Sequence, residues 1–437
     1  MPYRNAPINP IMRLIYALLR LTSWAGILVF YRRRLVLGHE HLRFDGPAIV
    51  VSNHPSTLMD PLNAGLNIRQ EMFFLANYGL FKNPVSAWIL NRLFCIPVKR
   101  KEDVAKGETR DNDAAFEASF RHLEKNGVLY IAAEGVSWMN RYVRPFKTGT
   151  ARIAFGAERR NNWQLGVKII PVGISYDAPR LFRSRTTVEY GAPIDPGPWA
   201  NADLQDHEKA VEDFTAGIRA RVSALTLDSH SEAGDAFVDQ AEILVRNEHR
   251  GAYDQGEYLF LKDFLGKNIQ NEGLKAQFAD YFAELQKANL TDVGLSKVQS
   301  PVSLLLLAPF FLLGYGFWFL PCYLPWLLCK RLKLYPGYDS NVKMLAGLFT
   351  FPLALWAGWE LAFWLFRSSL WAWVSLLVLV ICGYLAEVFM DHAKLWWEGR
   401  AARAFQKQKP EEWRILCNKR DEILKACKSK VQCQNVQ

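Results

Sequence analysis

A histidine and an aspartate stand six positions apart in the run Asn53-His54-Pro55-Ser56-Thr57-Leu58-Met59-Asp60. An imidazole exchanges a proton near neutral pH. A carboxylate beside it fixes the tautomer and stabilises the imidazolium, so the pair can act as a general base. Residues five or six apart are not neighbours on a helix face, which puts His54 on a turn. The chain has no Gly-x-Ser-x-Gly nucleophile elbow. The chemistry therefore turns away from a serine acyl-enzyme and toward a substrate hydroxyl as nucleophile.

A second group of reactive types is Ala132-Ala133-Glu134-Gly135-Val136-Ser137. A glutamate just before a glycine can hold a hydroxyl-rich ligand while the glycine permits the turn. Lys99 and Arg100 stand upstream of it, and Arg141, Arg144 and Lys147 follow. Guanidinium forks suit phosphate, which they bind through paired charge-assisted hydrogen bonds. The seven cysteines make no CxxC pair and no Cys/His cluster at metal spacing, so neither a zinc site nor a disulfide scaffold is expected.

Both groups follow short apolar runs, 48–51 and 128–131, as residues at the carboxyl ends of strands do in open α/β sheets. Strands are predicted over 34–37, 47–52, 72–76, 127–132, 168–174 and 186–190, alternating with helices at 112–125 and 149–157. A further helix starting near Pro84 runs through Trp88 to Arg92, a basic loop covers 178–185, and 204–226 has helical period. Residues 232–296 read as helices broken at Gly251, Gly256 and Gly266.

The order Asn-His…Asp, then Phe-x-Ile-x-x-x-Arg, then Glu-Gly-x-Ser, then Ile-Pro-Val resembles the glycerolipid acyltransferases over residues 8–220. That family acylates glycerol-3-phosphate, lysophosphatidate and related lysophospholipids. The resemblance implies an α/β fold with a mixed sheet, surrounding helices and an N-terminal helix pair seated in one leaflet, matched here by 11–30. It implies His54 and Asp60 as the catalytic dyad, with Asn53 at the site edge. It also implies that Arg100 contacts phosphate and that Glu134, Gly135 and Ser137 belong to the acceptor-binding motif. Arg144 and Lys147 lie in the segment that follows this motif, and Pro171 of Ile170-Pro171-Val172 lies near the acyl site. The acyl donor would be acyl-CoA or acyl-carrier protein, with no cofactor and no metal. The chain departs from the family pattern in having five residues between His54 and Asp60 rather than four, and Ala132, Ala133 and Val136 in the third motif. Some relatives that acylate glycerol-3-phosphate or dihydroxyacetone phosphate share the longer spacing, which points to the first acylation step.

The remainder is lipid-like. Residues 301–328 carry no charge, 344–366 only Glu360, and 368–386 none, and nine of the 15 tryptophans lie between Trp318 and Trp397. Runs of about 20 apolar residues flanked by Trp read as membrane segments. Basic residues Lys330, Arg331, Lys333 and Lys343 mark a cytoplasmic loop. With the first 300 residues also cytoplasmic, 303–328 is expected to be a re-entrant or interfacial segment that does not cross, followed by a spanning hairpin at about 344–389, with three full crossings as the alternative. The apolar stretch 11–30, closed by Arg32, Arg33 and Arg34, is expected to lie in the membrane interface.

The mean hydropathy of −0.05 averages water-facing and lipid-facing parts. The net charge of +10 is dispersed, without finger or helix-turn-helix spacing, and fits phosphate headgroups and substrates rather than nucleic acid. The expected division is an interfacial region 1–33, an acyltransferase-like α/β domain 34–230, a helical extension 231–300, a transmembrane region 301–390 and a basic helical tail 391–437. A transporter or scaffold, suggested by Glu360 and Glu387, and a catalytically inactive lipid-binding protein are the alternatives.

Overall fold

The computed structural model describes residues 10–90, 94–99, 112–248, 253–296 and 300–429. They fall into two compact units, the first Met1–His230 with Tyr335–Asn341, the second Ser231–Leu334 with Val342–Gln437.

The first unit opens with α1 (Pro10–Phe30) and is built on β1 (Arg33–Leu37), β2 (Ala48–Ser52), β3 (Met72–Asn77), β4 (Cys95–Val98), β5 (Val128–Ala132), β6 (Lys168–Tyr176) and β7 (Arg185–Tyr190). The strands form one seven-stranded sheet in the order β1-β7-β6-β2-β5-β3-β4. All neighbours run parallel except β6 and β7, so the sheet is mixed. Every residue of β2 is buried, as expected of a central strand covered on both faces. Ile49, Val51, Leu129 and Ile131 pack with Phe155 of α5 (Gly149–Arg160) and Phe214 of α7 (His207–Ala224). The two rings stack at 5.0 Å.

Six strands form where predicted, and β4 is a seventh. The ladder of β4 with β3 begins at the Phe74 amide, which donates to the Phe94 carbonyl at 2.7 Å. β4 is short and carries Pro97, which an edge strand tolerates because it has one neighbour to satisfy. The helices α3 (Pro84–Leu90) and α4 (Asp113–Glu124) occupy predicted positions. The stretch 204–226 is interrupted: α6 (Ala200–Gln205) ends at Asp206, whose carboxylate accepts the Lys209 amide and caps α7. A short α2 (Met59–Gly65) was not anticipated, and it places Asp60 in a helical first turn.

Where a helix pair was expected at the N-terminus, the described residues contain one helix, α1. It is docked through buried Ile27 and Phe30, through the Arg13–Glu71 pair at 2.9 Å, and through Tyr16 edge-on to Phe94. Its other face leaves Ile11, Leu14, Leu21, Trp24 and Leu28 exposed.

The second unit is helical: α8 (Asp235–Glu248), α9 (Gln255–Asn268), α10 (Glu272–Lys287), α11 (Asp292–Ser296), α12 (Pro301–Leu332), most of α13 (Asp339–Phe366), α14 (Ser369–Gln408) and α15 (Pro410–Ser429). Gly256 and Gly266 lie inside α9 and do not break it. The cost of a helical glycine, about 1 kcal/mol, is outweighed there by burial of Tyr258, Leu261, Phe264 and Leu265. Gly251 lies outside the described residues.

Among the described residues, four helices are long and apolar enough to cross a bilayer: α1, α12, α13 and α14. At 1.5 Å per residue the 32 residues of α12 extend about 48 Å, against about 30 Å for a hydrocarbon core. α12 has no reversal, so a segment that enters and returns within 303–328 is not what forms. Its prolines are absorbed instead. Pro325 cannot donate to the Pro321 carbonyl four residues back, and that oxygen accepts the Thr350 hydroxyl of α13 at 3.0 Å. α12 also crosses α14 closely, where a Cβ on Gly314 would fall 2.2 Å from the Cys382 carbonyl oxygen.

The expected tail is likewise no free solvated segment. Its first part continues α14, and α15 buries Leu416, Ile423, Leu424 and Cys427. Lys419 of α15 pairs with Asp280 and Glu284 of α10 at 2.6 and 2.5 Å.

Candidate active site

The site is assembled where β2 and β5 end side by side, Ser52 in register with Ala132. His54 stands on the turn two residues beyond β2, and its Nδ1 lies 2.8 Å from Asp60 Oδ2. Asp60 is fully buried, while the imidazole keeps 18% of its surface exposed. The same Asp60 oxygen accepts the Ser56 amide at 2.8 Å, and Oδ1 accepts the Tyr176 hydroxyl at 2.8 Å. All three bonds hold the carboxylate in one orientation. Burial and the charge of Asp60 push the Tyr176 phenol well above its ordinary range, which keeps it a donor.

The predicted residues of the second group surround this turn. Glu134 Oε1 accepts the His54 amide at 2.8 Å, and Oε2 accepts the Arg144 amide at 3.4 Å. Burial pushes the Glu134 carboxyl up to about 7, and the amide of His54 counters that rise in part. Gly135 has φ +76°, a left-handed value that suits glycine, and packs toward the Lys147 stem. The Lys147 amide donates to the Ala133 carbonyl at 2.8 Å. Ser137 Oγ accepts the Thr57 amide at 3.1 Å. Asn53 is clipped to β6 by two bonds, its amide donating to the Ile174 carbonyl and its oxygen accepting the Ile174 amide, each 2.9 Å. Arg144 lays its guanidinium over the Trp138 ring at 4.2 Å and near Tyr142 at 5.5 Å.

Pro171 is buried in β6, in register with Val51 rather than at the turn. Arg100 lies outside the described residues. Among the described residues, no cluster of three or more His, Cys, Asp or Glu side chains is placed to hold a metal ion.

Beside the dyad is a crevice lined by Asn53, Pro55, Met139, Arg141, Ile174 and Leu227.

Tyr176 and the amide of Ser56 were not anticipated as partners of Asp60. The signal for Tyr176 was its place at the end of β6, the neighbour of β2, where side chains reach the same site. The turn has a third set of unanticipated partners in Gly337, Ser340 and Asn341, considered below.

The Acyltransferase family model matches residues 33–175, which include β1 to most of β6 and both ends of the dyad. Glycerol-3-phosphate O-acyltransferase 1 of Saccharomyces cerevisiae is 36% identical over 85 residues, 20% of this chain and 11% of the yeast protein. Glycerol-3-phosphate O-acyltransferase 2 of the same yeast is 37% identical over 87 residues, 20% of this chain and 12% of that protein. The chloroplastic 1-acyl-sn-glycerol-3-phosphate acyltransferase BAT2 of Brassica napus is 25% identical over 151 residues, 34% of this chain and 39% of that one. The chain thus spans well under half the length of these curated relatives. Among solved structures, the 1-acyl-sn-glycerophosphate acyltransferase PlsC of Thermotoga maritima is 20% identical with a TM-score of 0.33, over 48% of this chain and 82% of that one. Residues 33–175 thus match the Acyltransferase family, and this part of the chain is similar to enzymes named as glycerol-3-phosphate and 1-acylglycerol-3-phosphate acyltransferases.

Proposed function

We propose that the chain transfers an acyl group from a thioester, acyl-CoA or acyl-carrier protein, to a hydroxyl of glycerol-3-phosphate or 1-acylglycerol-3-phosphate. The observation that carries this reading is the 2.8 Å pair of His54 with a fully buried Asp60 at the carboxyl end of β2. With Nδ1 committed to Asp60, Nε2 is the nitrogen left to take the hydroxyl proton. The acceptor oxygen attacks the thioester carbonyl, the tetrahedral adduct collapses, and the C–S bond breaks. The leaving thiolate takes the proton back from the imidazolium, so the products are ester and free thiol. No enzyme-bound acyl group and no cofactor is needed. Arg100, Arg144 and Lys147 would supply charge to the acceptor phosphate.

The partners are the bilayer, the phosphorylated acceptor and the thioester donor, not nucleic acid. A cytoplasmic catalytic domain is supported by the basic run from Lys330 to Lys343, whose Tyr335–Asn341 part belongs to the same unit as that domain.

The test is turnover of long-chain acyl-CoA, or acyl-carrier protein, by the full chain in detergent. Glycerol-3-phosphate, dihydroxyacetone phosphate and lysophosphatidate are compared as acceptors. His54→Ala is expected to lower kcat by about 10²- to 10⁴-fold. A His54→Ala protein as fast as the parent would end this mechanism.

A further inference from the structure

The turn between His54 and Asp60 contains a conformation that the residue adopting it disfavours. Thr57 is β-branched and sits at φ +42°, in the left-handed region such residues avoid. A conformation of this kind persists only where its surroundings over-determine it. Here the surroundings come largely from the Tyr335–Asn341 segment, which belongs to the same compact unit but lies some 280 residues further along the chain. The Thr57 hydroxyl donates to the Gly337 carbonyl at 3.2 Å and accepts the Asn341 side-chain amide. Ser56 and Ser340, both buried, share a hydroxyl–hydroxyl bond of 3.0 Å. Arg180 anchors the segment with two bonds to one Asp339 oxygen, 3.2 and 3.0 Å.

These contacts fall on the two residues that decide the dyad's geometry. Ser56 gives its amide to Asp60 Oδ2, the oxygen that holds His54, and Thr57 gives its amide to Ser137 of the Glu134 loop. The segment lies outside the residues matched by the family, 33–175.

We infer that Ser340 and Asn341 are positioning residues for the His54–Asp60 pair, supplied by the first turn of α13. They act through Ser56 and Thr57 and touch no substrate. Their presence explains how a dyad with five intervening residues keeps a 2.8 Å hydrogen bond. For its kinetic consequence this inference rests on the acyltransferase reading.

The experiment uses the full chain in detergent, with Ser340→Ala, Asn341→Ala, Thr57→Ala, Thr57→Ser and the Thr57→Ala/Asn341→Ala double variant. Two quantities are read: kcat and KM for the acceptor, and the rate at which diethyl pyrocarbonate modifies His54, followed by peptide mass spectrometry. Each alanine variant is expected to lower kcat about three- to tenfold with KM held, and to speed His54 modification several-fold. Thr57→Ser should recover most of the loss seen in Thr57→Ala, and Asn341→Ala should add little once Thr57 is alanine. Unchanged His54 reactivity in both Ser340→Ala and Asn341→Ala would overturn the inference, as would full additivity in the double variant. If the parent protein turns over none of the acceptors, the acyltransferase reading falls. The His54 modification rates still decide the positioning role in that case.

Discussion

Two buried aspartates invite comparison. Asp60 in the sheet unit and Asp292 in the helical unit are both fully buried, and each accepts a tyrosine hydroxyl, from Tyr176 at 2.8 Å and Tyr281 at 2.7 Å. Each has a second, nitrogen-bearing side chain beside it: His54 for Asp60, and Arg420 at 2.8 Å for Asp292. Asn247 completes the second site, and the Ser56 amide the first. What separates them is the basic group. An arginine stays charged at every accessible pH, so the Asp292 cluster can only hold α8, α10, α11 and α15 together. Histidine trades its proton near neutrality, and His54 keeps part of its ring exposed. One carboxylate arrangement thus makes a staple with a permanent cation and, in the proposed mechanism, the orienting partner of an exchangeable base.

The comparison is broken most severely at the carboxylates. Asp60→Asn is expected to cost about 10²- to 10⁴-fold in kcat. Asp292→Asn leaves Arg420 without its buried counter-charge, and about 3–5 kcal/mol of stability should be lost in denaturant melts. Turnover per folded molecule should stay at the parent level. If Asp292→Asn slowed the chemistry as Asp60→Asn does, the division of roles would be wrong. The tyrosines come next. Removing the hydroxyl in Tyr176→Phe deprives Asp60 of a hydrogen bond to a charged group, worth about 1.5–3 kcal/mol, and kcat should fall at least tenfold with acceptor KM unchanged. Tyr281→Phe should lower only the melting temperature.

The smallest effect concerns pH. Burial raises the folded Glu134 carboxyl to about 7, above the ordinary value of 4.5 it has when unfolded. Between those values the native chain binds more protons than the unfolded one, so this group's stabilising contribution is full below about 4.5 and is lost as pH rises through 7. Glu134→Gln carries no such charge. Its melting temperature relative to the parent should therefore climb between pH 5 and pH 8, and a pH-independent difference would reject the shifted carboxyl.

How much of this could be read without coordinates depends on distance along the chain. The strands β2, β5 and β6 announce themselves as local apolar runs, and His54, Asp60 and Glu134 stand directly at their ends. Tyr176 lies 116 residues from Asp60, and Asn341 lies 284 from Thr57, so only the sheet order and the packing of the first turn of α13 could bring them in. β4 escaped notice because a four-residue run with a proline has too little pattern. Gly256 and Gly266 misled in the other direction, since a glycine's local preference yields when its neighbours are buried. The prolines of α12 do not end it, since Thr350 answers the carbonyl that Pro325 leaves open, and that answer lies in a different helix. The lesson is physical: local propensity foretells the elements, while the satisfaction of buried polar groups is decided by partners far off in sequence.

A last consequence belongs to β4. In a parallel pair, bonds to one neighbour use alternate residues, and the ladder begins at Phe94. The backbone groups of Cys95 and Pro97 therefore face away from β3, toward a border of the sheet where no further strand pairs among the described residues. An open border is where a strand from another molecule can add itself, extending the sheet from chain to chain. Pro97 removes an amide from the row that such a strand would need. A residue that looks like a blemish in the strand ends the sheet there, and protects the folded protein from aggregating through its own edge.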